Sequence, residues 1–193
     1  MKAWQLRGFG LDNLVLHDIP QPEPGPGEAL IRISSVALNF RDSLLCDGLY
    51  NPQLLFPMTQ AADAVGEIVA LGPGTTRFQA GDRVVTSYCT TWIDGRPTGN
   101  DSHYTLGNVI PGALAEYLIL SEQALALAPA YLTNDEAATI PCAALTAWYS
   151  PVEKGGLIAG QTVLIQGTGG VSLFGLQIAA ALGAIVIATS SSV

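Results

Sequence analysis

A glycine-rich turn between a predicted strand and a predicted helix carries the clearest chemical signal in the sequence. The turn reads Gly167-Thr168-Gly169-Gly170-Val171 and stands between the apolar strand 162–166 and a helix predicted over about 171–182. In such a turn the first glycine makes the tight bend and the second lets backbone N–H groups at a helix N-terminus approach a pyrophosphate. Ser172 stands where a third glycine would allow close helix–strand packing. The strand–turn–helix order favours a dinucleotide site, and the alternative is a purely structural turn.

A second predicted strand, 184–189, ends in small hydroxyl side chains that suggest which dinucleotide binds. Thr189, Ser190 and Ser191 stand where NAD-specific sites place an acid that bonds the ribose 2′-hydroxyl. Hydroxyls can donate to a 2′-phosphate without repelling it, so the sequence favours NADP. The alternative is that the residue that selects the cofactor lies beyond these positions.

The composition excludes several classes of function. The chain has 193 residues, a formal net charge of −8 and no basic stripe, so nucleic-acid binding is disfavoured. Its three cysteines are far apart, which fits a reducing cytosol better than a disulfide framework. Residues 155–193 lack charge over a membrane-spanning length, but the glycine turn lies in their middle. We therefore expect a buried strand–turn–helix–strand unit and no membrane segment.

The chain changes character near Thr133. Residues 1–132 contain short apolar strands between turns, including 30–33, 65–71 and 113–120, a pattern typical of a partly open β-barrel. Thr133 and Glu136 have the spacing of a capping box, so a helix is expected to begin there. Two domains are therefore predicted, 1–132 and 133–193, the second comprising a linking helix and one βαβ unit.

The ordered set of motifs resembles the medium-chain dehydrogenase/reductase superfamily, in its zinc-independent, quinone-oxidoreductase-like branch, which includes proteins of the zinc-type alcohol dehydrogenase-like kind. The motifs are Pro24–Glu28, Ala37–Asp42, Asp63–Val69, Ala80–Val84, Gly112–Tyr117, Leu145–Trp148, the glycine turn and 188–192. The resemblance implies an α/β protein with a GroES-like β-barrel catalytic domain, then a Rossmann doubly wound parallel sheet, and an active site in the cleft between them. Six parallel strands are expected and two are found, so we expect the N-terminal portion of a longer polypeptide or a truncated product.

The same resemblance implies the site residues. Asn39, Phe40, Arg41 and Asp42 would line the cleft beside the nicotinamide, and Thr146 would contact the cofactor together with the glycine turn and Thr189–Ser191. Two alternatives stay open at this level. Asp42 could be a structural hydrogen-bonding group, and Thr146 could be a packing residue within a helix.

The residues that match the zinc-binding positions of the family lack zinc ligands. Zinc-dependent members use a cysteine, a His-Glu pair and a second cysteine, and here these positions read Asn39, Ala62-Asp63 and Cys142. One thiol and one carboxylate cannot complete a three-ligand site, so no zinc is expected and Cys142 is interpreted as a small buried residue. Without a metal, hydrogen-bond donors must polarise the substrate carbonyl.

The resemblance thus implies an enzyme, namely an NADPH-dependent, metal-independent oxidoreductase that transfers hydride to a quinone, an enone or enal, or a similar carbonyl compound. The full-length protein is expected to be cytoplasmic and a homodimer, and the present chain alone is expected to be inactive. Two alternatives remain: a non-catalytic fragment or degenerate cofactor-binding scaffold, and a zinc-type alcohol dehydrogenase.

Overall fold

The structure, a computed structural model, describes residues 1–96 and 104–190. The chain divides into two compact units, Met1–Thr139 and Ile140–Val193. Among the described residues the first unit contains two sheets and the second contains one, and each unit is described by itself.

The first unit is a curled antiparallel half-barrel. Its elements are β1 (Lys2–Leu6), β2 (Leu14–Asp18), β3 (Glu28–Ala37), α1 (Phe40–Cys46), β4 (Met58–Thr59), β5 (Asp63–Leu71), β6 (Arg83–Thr86), β7 (Tyr117–Ser121), β8 (Leu125–Leu127) and α2 (Asn134–Ala138). Five strands form a sheet in the order β7-β3-β5-β6-β8, and three form a second sheet in the order β2-β1-β4. The predicted partly open GroES-like barrel is confirmed.

Irregular pairing between β3 and β5 curls the larger sheet around the core. The register shifts between Leu30 and Ile31 and again between Ile33 and Ser35, and such bulges bend a strand and increase its twist. The curled sheet encloses a core in which apolar side chains from β3, β5 and β7 are fully or almost fully buried, including Ile31, Ile68 and Leu118.

Helix α2 begins as its capping box predicts. The Thr133 backbone N–H donates to the Glu136 carboxylate over 2.9 Å, and the Glu136 N–H donates to the Thr133 hydroxyl over 3.3 Å. These reciprocal bonds satisfy two N–H groups that a helix start otherwise leaves without partners. Ala137 and Ala138 then pack against Val65 and Val85 of the sheet.

The second unit is a βαβ unit preceded by a helical segment. Its elements are a π-helical turn (Ile140–Ala144), α3 (Leu145–Trp148), a second π-helical turn (Tyr149–Lys154), β9 (Thr162–Gln166), α4 (Gly170–Ala181) and β10 (Ile185–Thr189). Strands β9 and β10 pair in parallel, which confirms the predicted start of a Rossmann sheet. Within the described residues, none of the helices has both the length and the apolar character needed to cross a membrane.

The strand expected over 113–120 begins later than the sequence indicates. Strand β7 starts at Tyr117, and the preceding residues instead bond to an irregular segment before β5. The Ala113 N–H donates to the Ala61 carbonyl, and the Leu114 N–H donates to the Gln60 carbonyl, both over 2.9 Å. Alternating hydrophobicity cannot reveal this difference, because the bonding partners lie about fifty residues earlier in the chain.

Substitution of Gly112 by alanine should disrupt the backbone hydrogen bonding between residues 113–114 and residues 60–61. An added Cβ would overlap the backbone carbonyl oxygens of Gln60 and Ala61, which cannot move without shifting the segment that leads into β5. We expect Gly112→Ala to lower the free energy of unfolding by about 3 kcal/mol or more, measured by urea denaturation. The control Gly25→Ala meets only the flexible end of Glu28 at 3.1 Å and should change it by less than about 1 kcal/mol. Equal effects of the two substitutions would contradict the close backbone approach at Gly112.

Candidate active site in the half-barrel and candidate nucleotide site in the βαβ unit

Asp42 organises the start of α1, where the chain leaves β3. The residue before the helix, Asn39, is extended, and its backbone N–H donates to Asp42 Oδ2 over 2.8 Å. The Asp42 N–H in turn donates to the Asn39 carbonyl over 2.9 Å. The carboxylate is buried, so this local bonding holds it in one place at the first turn of the helix.

Arg41 is held by three contacts on the same side of α1. Its Nη2 lies 3.0 Å from Asp42 Oδ1, and its Nη1 donates to the Leu106 carbonyl over 2.8 Å. Only 10% of each of the Arg41 and Asp42 side chains is exposed. In addition, the guanidinium carbon lies 4.8 Å from the ring centroid of Tyr88, a distance that suits a cation–π contact. The arginine is thus immobilised and its charge is balanced.

Two tyrosine hydroxyls meet beside this guanidinium. Tyr50 Oη and Tyr88 Oη lie 3.0 Å apart, and the Arg41 guanidinium carbon lies 6.0 Å from the Tyr50 ring centroid. Tyr50 is 46% exposed, whereas Tyr88 packs against the core of the half-barrel. Burial, together with the bond to Tyr50, raises the pKa of the Tyr88 phenol well above its ordinary value, although Arg41 opposes the shift. Tyr88 therefore stays protonated at neutral pH.

Sequence reasoning missed Tyr88. No motif or periodicity connects residue 50 with residue 88. The signal exists only in the fold, because Leu106 bonds to both Tyr88 and Arg41. The Leu106 N–H donates to the Tyr88 carbonyl over 3.3 Å, and the Leu106 carbonyl accepts from Arg41.

Two of the residues at the positions that match zinc ligands, Asn39 and Asp63, bond to each other. Asn39 Nδ2 donates to Asp63 Oδ2 over 3.0 Å, and Asp63 is completely buried. Ala62 offers no ligand atom, and its carbonyl accepts from the Thr86 hydroxyl over 2.8 Å. In residues 1–96 and 104–190, no three His, Cys, Asp or Glu side chains lie close enough together to hold a metal ion.

Apolar side chains flank this hydrogen-bonded cluster in the chain. Phe40, between Asn39 and Arg41, is 79% exposed, and Leu49, beside Tyr50, is also largely exposed. Leu38 and Leu55 are exposed in the same way. Exposed apolar side chains therefore lie near the polar residues of the site in the chain, and an apolar substrate could cover them.

In the second unit, the glycine turn joins β9 to α4 with its backbone open to solvent. Gly167 has φ +84°, a conformation that favours glycine, and its N–H donates to the Thr189 carbonyl over 3.1 Å. Gly169 precedes the helix in extended conformation, and a Cβ built on it would meet no atom within 4 Å. Packing in the unit therefore does not explain glycine at position 169, whereas a bound group close to the backbone would.

Ser172 and Gly175 divide the role that the missing third glycine would have. The Ser172 hydroxyl donates to the Gln166 carbonyl over 3.0 Å, bridging the end of β9 and the first turn of α4. One turn later, a Cβ on Gly175 would lie 3.3 Å from Ile165 Cδ1, so this glycine provides the close helix–strand contact.

The remaining predicted cofactor residues that the structure describes are accessible. Thr168, Gly170 and Val171 are exposed at the turn, and Thr146 is exposed on α3. Thr189 ends β10 and its hydroxyl accepts from the Gly167 N–H over 3.3 Å, while Ser190 follows it and is exposed. Ser191 lies outside the described residues. Cys142 is half-buried, so its interpretation as a buried residue is wrong, since its π-helical turn covers it only partly.

Comparison with known proteins supports one family. Residues 25–130 match the alcohol dehydrogenase GroES-like domain. The chain is 39% identical over 190 residues to the zinc-type alcohol dehydrogenase-like protein C1773.06c of Schizosaccharomyces pombe. This match covers 97% of this chain and 55% of that protein. It is 33% identical to the quinone oxidoreductase of Pseudomonas aeruginosa, covering 95% of this chain and 50% of that protein.

A solved structure of a protein from Sinorhizobium meliloti 1021 superposes on the chain with a TM-score of 0.91 and 46% identity. The match covers 99% of this chain and 57% of the other. The chain therefore spans about half the length of the curated relatives that it matches.

Substitution of Asp42 should reveal how strongly the site depends on its ion pair. Asp42→Asn leaves the Arg41 charge buried without a carboxylate, so we expect a loss of about 2–4 kcal/mol in the free energy of unfolding, measured by urea denaturation. The control Asp47→Asn, at the exposed end of the same helix, should change it by less than about 0.5 kcal/mol. The double variant Arg41→Met/Asp42→Asn should lose less than the sum of the two single changes, and additive losses would contradict the pairing.

Proposed function

The chain belongs to the medium-chain dehydrogenase/reductase superfamily, and from this premise we propose that the whole protein is an NADPH-dependent oxidoreductase that reduces a neutral activated carbonyl compound, such as a quinone or an enone. The observation that carries the proposal is Tyr50, which is 46% exposed and whose ring centroid lies 6.0 Å from the carbon of the immobilised Arg41 guanidinium. Such a group can donate a hydrogen bond, and then a proton, to the oxygen of a reacting carbonyl.

The residues of the glycine turn fit a dinucleotide. Gly169 leaves open space in front of the N-terminus of α4, a twelve-residue helix whose first N–H groups can bind a pyrophosphate. We assign Gly167, Thr168, Gly169, Gly170 and Val171 to this contact, with Thr146, Thr189, Ser190 and Ser191 as further cofactor residues. When bound, the reduced nicotinamide supplies the hydride.

The residues of the half-barrel have the task of binding and protonating the substrate. Tyr50 Oη would donate to the carbonyl oxygen, and Arg41 would stabilise the negative charge that develops there. Asp42 would act through Arg41 by holding the guanidinium in place, and Asn39 would be fixed by its bond to Asp63. Exposed Phe40 would cover an apolar part of the substrate or the nicotinamide ring.

The electrostatics of the site favour a neutral substrate. The guanidinium of Arg41 lies within 3.0 Å of the Asp42 carboxylate, so the pair as a whole has no net charge that would attract a charged substrate. The guanidinium still acts locally, because its carbon lies 4.8 Å and 6.0 Å from the ring centroids of Tyr88 and Tyr50. The exposed side chains beside it in the chain, Phe40 and Leu49, are apolar. A quinone or enone meets these conditions better than a carboxylate or a coenzyme A thioester, whose phosphates need cations.

A catalytic zinc ion does not fit the donor set, and we propose that hydrogen bonding replaces it. Asn39 uses its amide to bind Asp63, and Ala62 has no ligand atom. Elemental analysis of the dialysed protein is expected to find far less than one zinc per chain, and about one per chain would favour the alcohol dehydrogenase alternative.

Dimerisation and a cytoplasmic location stay predictions.

The nucleotide site can be tested by charge. In the protein produced from its complete reading frame, Gly169→Asp places a carboxylate where the pyrophosphate would approach, so NADPH affinity should fall at least about 100-fold. The control Gln177→Asp adds the same charge at an exposed position of α4 and should retain affinity within about threefold. Both are measured by titrating NADPH fluorescence. Unchanged affinity in folded Gly169→Asp would refute the site.

The same protein should oxidise NADPH in the presence of quinones and enones, and no turnover with either class would favour the scaffold alternative. Faster turnover with a coenzyme A thioester than with any neutral substrate would contradict the proposed substrate class.

Cofactor choice can be tested at the end of β10. If Ser190 accepts the 2′-phosphate, wild type binds NADPH more tightly than NADH, and Ser190→Asp reverses the preference because its carboxylate repels the phosphate. The relative affinity should shift by about 2–4 kcal/mol, measured by fluorescence titration with both cofactors. The rival account, in which a residue elsewhere selects the cofactor, predicts little change. Equal affinities for both cofactors in both proteins would decide against Ser190.

A further inference from the structure

The short contact between the Tyr50 and Tyr88 hydroxyls has a direction that chemistry can assign. A phenol that gives its proton to a substrate must accept, at that moment, a hydrogen bond on its own oxygen if the resulting charge is to be stabilised. Tyr88 Oη lies 3.0 Å from Tyr50 Oη, within the range of an O–H···O hydrogen bond. Of the two, Tyr50 is the more exposed and can reach a substrate.

Tyr88 is well suited to be the donor. Its burial disfavours the charged phenolate, so its proton is retained while Tyr50 reacts. Its ring packs against the core and lies under the Arg41 guanidinium at 4.8 Å, which restricts its rotation. The hydroxyl therefore has a fixed position from which it can reach Tyr50.

A closed set of contacts sets the position of Tyr88. Its carbonyl accepts from the Leu106 N–H, and the Leu106 carbonyl accepts from Arg41, whose guanidinium lies on the Tyr88 ring. The only ion pair of this set, in the described part of the chain, joins Arg41 to Asp42. Leu106 thus holds the backbone of Tyr88 and Arg41 contacts its ring, while the Tyr88 hydroxyl lies 3.0 Å from Tyr50 Oη.

We propose that Tyr88 is a positioning residue that donates a hydrogen bond to Tyr50 Oη and so promotes proton transfer from Tyr50 to the reduced substrate. The inference rests on the proposed function and deepens it. Neither the glycine turn nor the motif around Asn39 depends on this role of Tyr88.

The step is balanced in atoms and electrons. A bound reduced nicotinamide would supply a hydride with its two electrons and would itself be oxidised, so the substrate would become an enolate or a hydroquinone anion. The O–H bond of Tyr50 breaks, its proton forms a new bond to the substrate, and the electron pair stays on Tyr50 Oη. The bond from Tyr88 and the charge of Arg41 stabilise that phenolate until water, which reaches the half-exposed Tyr50, returns a proton.

The experiment is a double-mutant cycle on turnover of an enone with NADPH, in the protein produced from its complete reading frame. Tyr88→Phe keeps the ring on Arg41 and removes only the hydroxyl, so kcat should fall about 10-fold while KM changes less than about twofold. The solvent deuterium isotope effect on kcat should rise, because proton transfer becomes more limiting. Tyr131→Phe, at a tyrosine that is 86% exposed, is the matched control and should change neither quantity.

The cycle distinguishes positioning from packing. If Tyr88 acts through the Tyr50 hydroxyl, adding Tyr88→Phe to Tyr50→Phe costs no further activity. If Tyr88 only stabilises the fold, the two losses multiply and the isotope effect stays unchanged, which overturns the inference. 3-Fluorotyrosine at position 88 retains both the ring and the donor. This variant should keep kcat within about threefold of wild type. It therefore tests the inference if Tyr88→Phe does not fold, and a larger loss of kcat would contradict it.

The outcomes also separate the inference from the function on which it rests. No turnover by wild type with any carbonyl substrate overturns both. Turnover by wild type together with full activity of Tyr88→Phe overturns only the inference.

Discussion

The ion pair between Arg41 and Asp42 is the constraint on which the geometry of the half-barrel site depends. A buried guanidinium needs a partner charge and hydrogen-bond acceptors, and here it finds them in Asp42 and in the Leu106 carbonyl. Because Asp42 also accepts from the Asn39 backbone, the pair ties the start of α1 to the loop that carries Leu106. The rings of Tyr50 and Tyr88 lie beside this guanidinium, with centroids 6.0 Å and 4.8 Å from its carbon.

The second unit solves a different problem, which is to keep backbone N–H groups accessible while the helix stays packed. Thr189 accepts from Gly167 and Ser172 donates to Gln166, so the turn is held from both strands without any side chain in front of Gly169. Gly175 provides the close approach to β9. The open face of the turn is thus a consequence of bonds made behind it.

Much of the fold follows from local patterns. The capping residues at Thr133, the apolar alternation of β3 and β5, and the glycine turn between β9 and α4 act over a few residues, and each predicts its element. The start of β7 is predicted wrongly because its upstream residues bond to Gln60 and Ala61 instead of continuing a ladder. Local periodicity cannot reveal a partner so far away.

The residues of the site were likewise predictable only where a local motif marks them. The motif around Asn39 indicated a group of four residues, and the structure brings three of them, Asn39, Arg41 and Asp42, into one bonded cluster while Phe40 is exposed. Tyr88 and Leu106 could not be found in this way, because they join the cluster through backbone and ring contacts that carry no sequence signature.

The central claim is direct hydride transfer from a nucleotide to a neutral carbonyl substrate, and deuterium labelling tests it most directly. The complete protein is incubated with an enone and NADPH that carries deuterium at nicotinamide C4, and the product is analysed by NMR. With the label on the transferred face of the ring, the account predicts deuterium at the β-carbon of the saturated ketone and a solvent-derived proton at the α-carbon. A reduced product without deuterium whichever face of the ring carries the label, or no reduction of any enone or quinone, would contradict it.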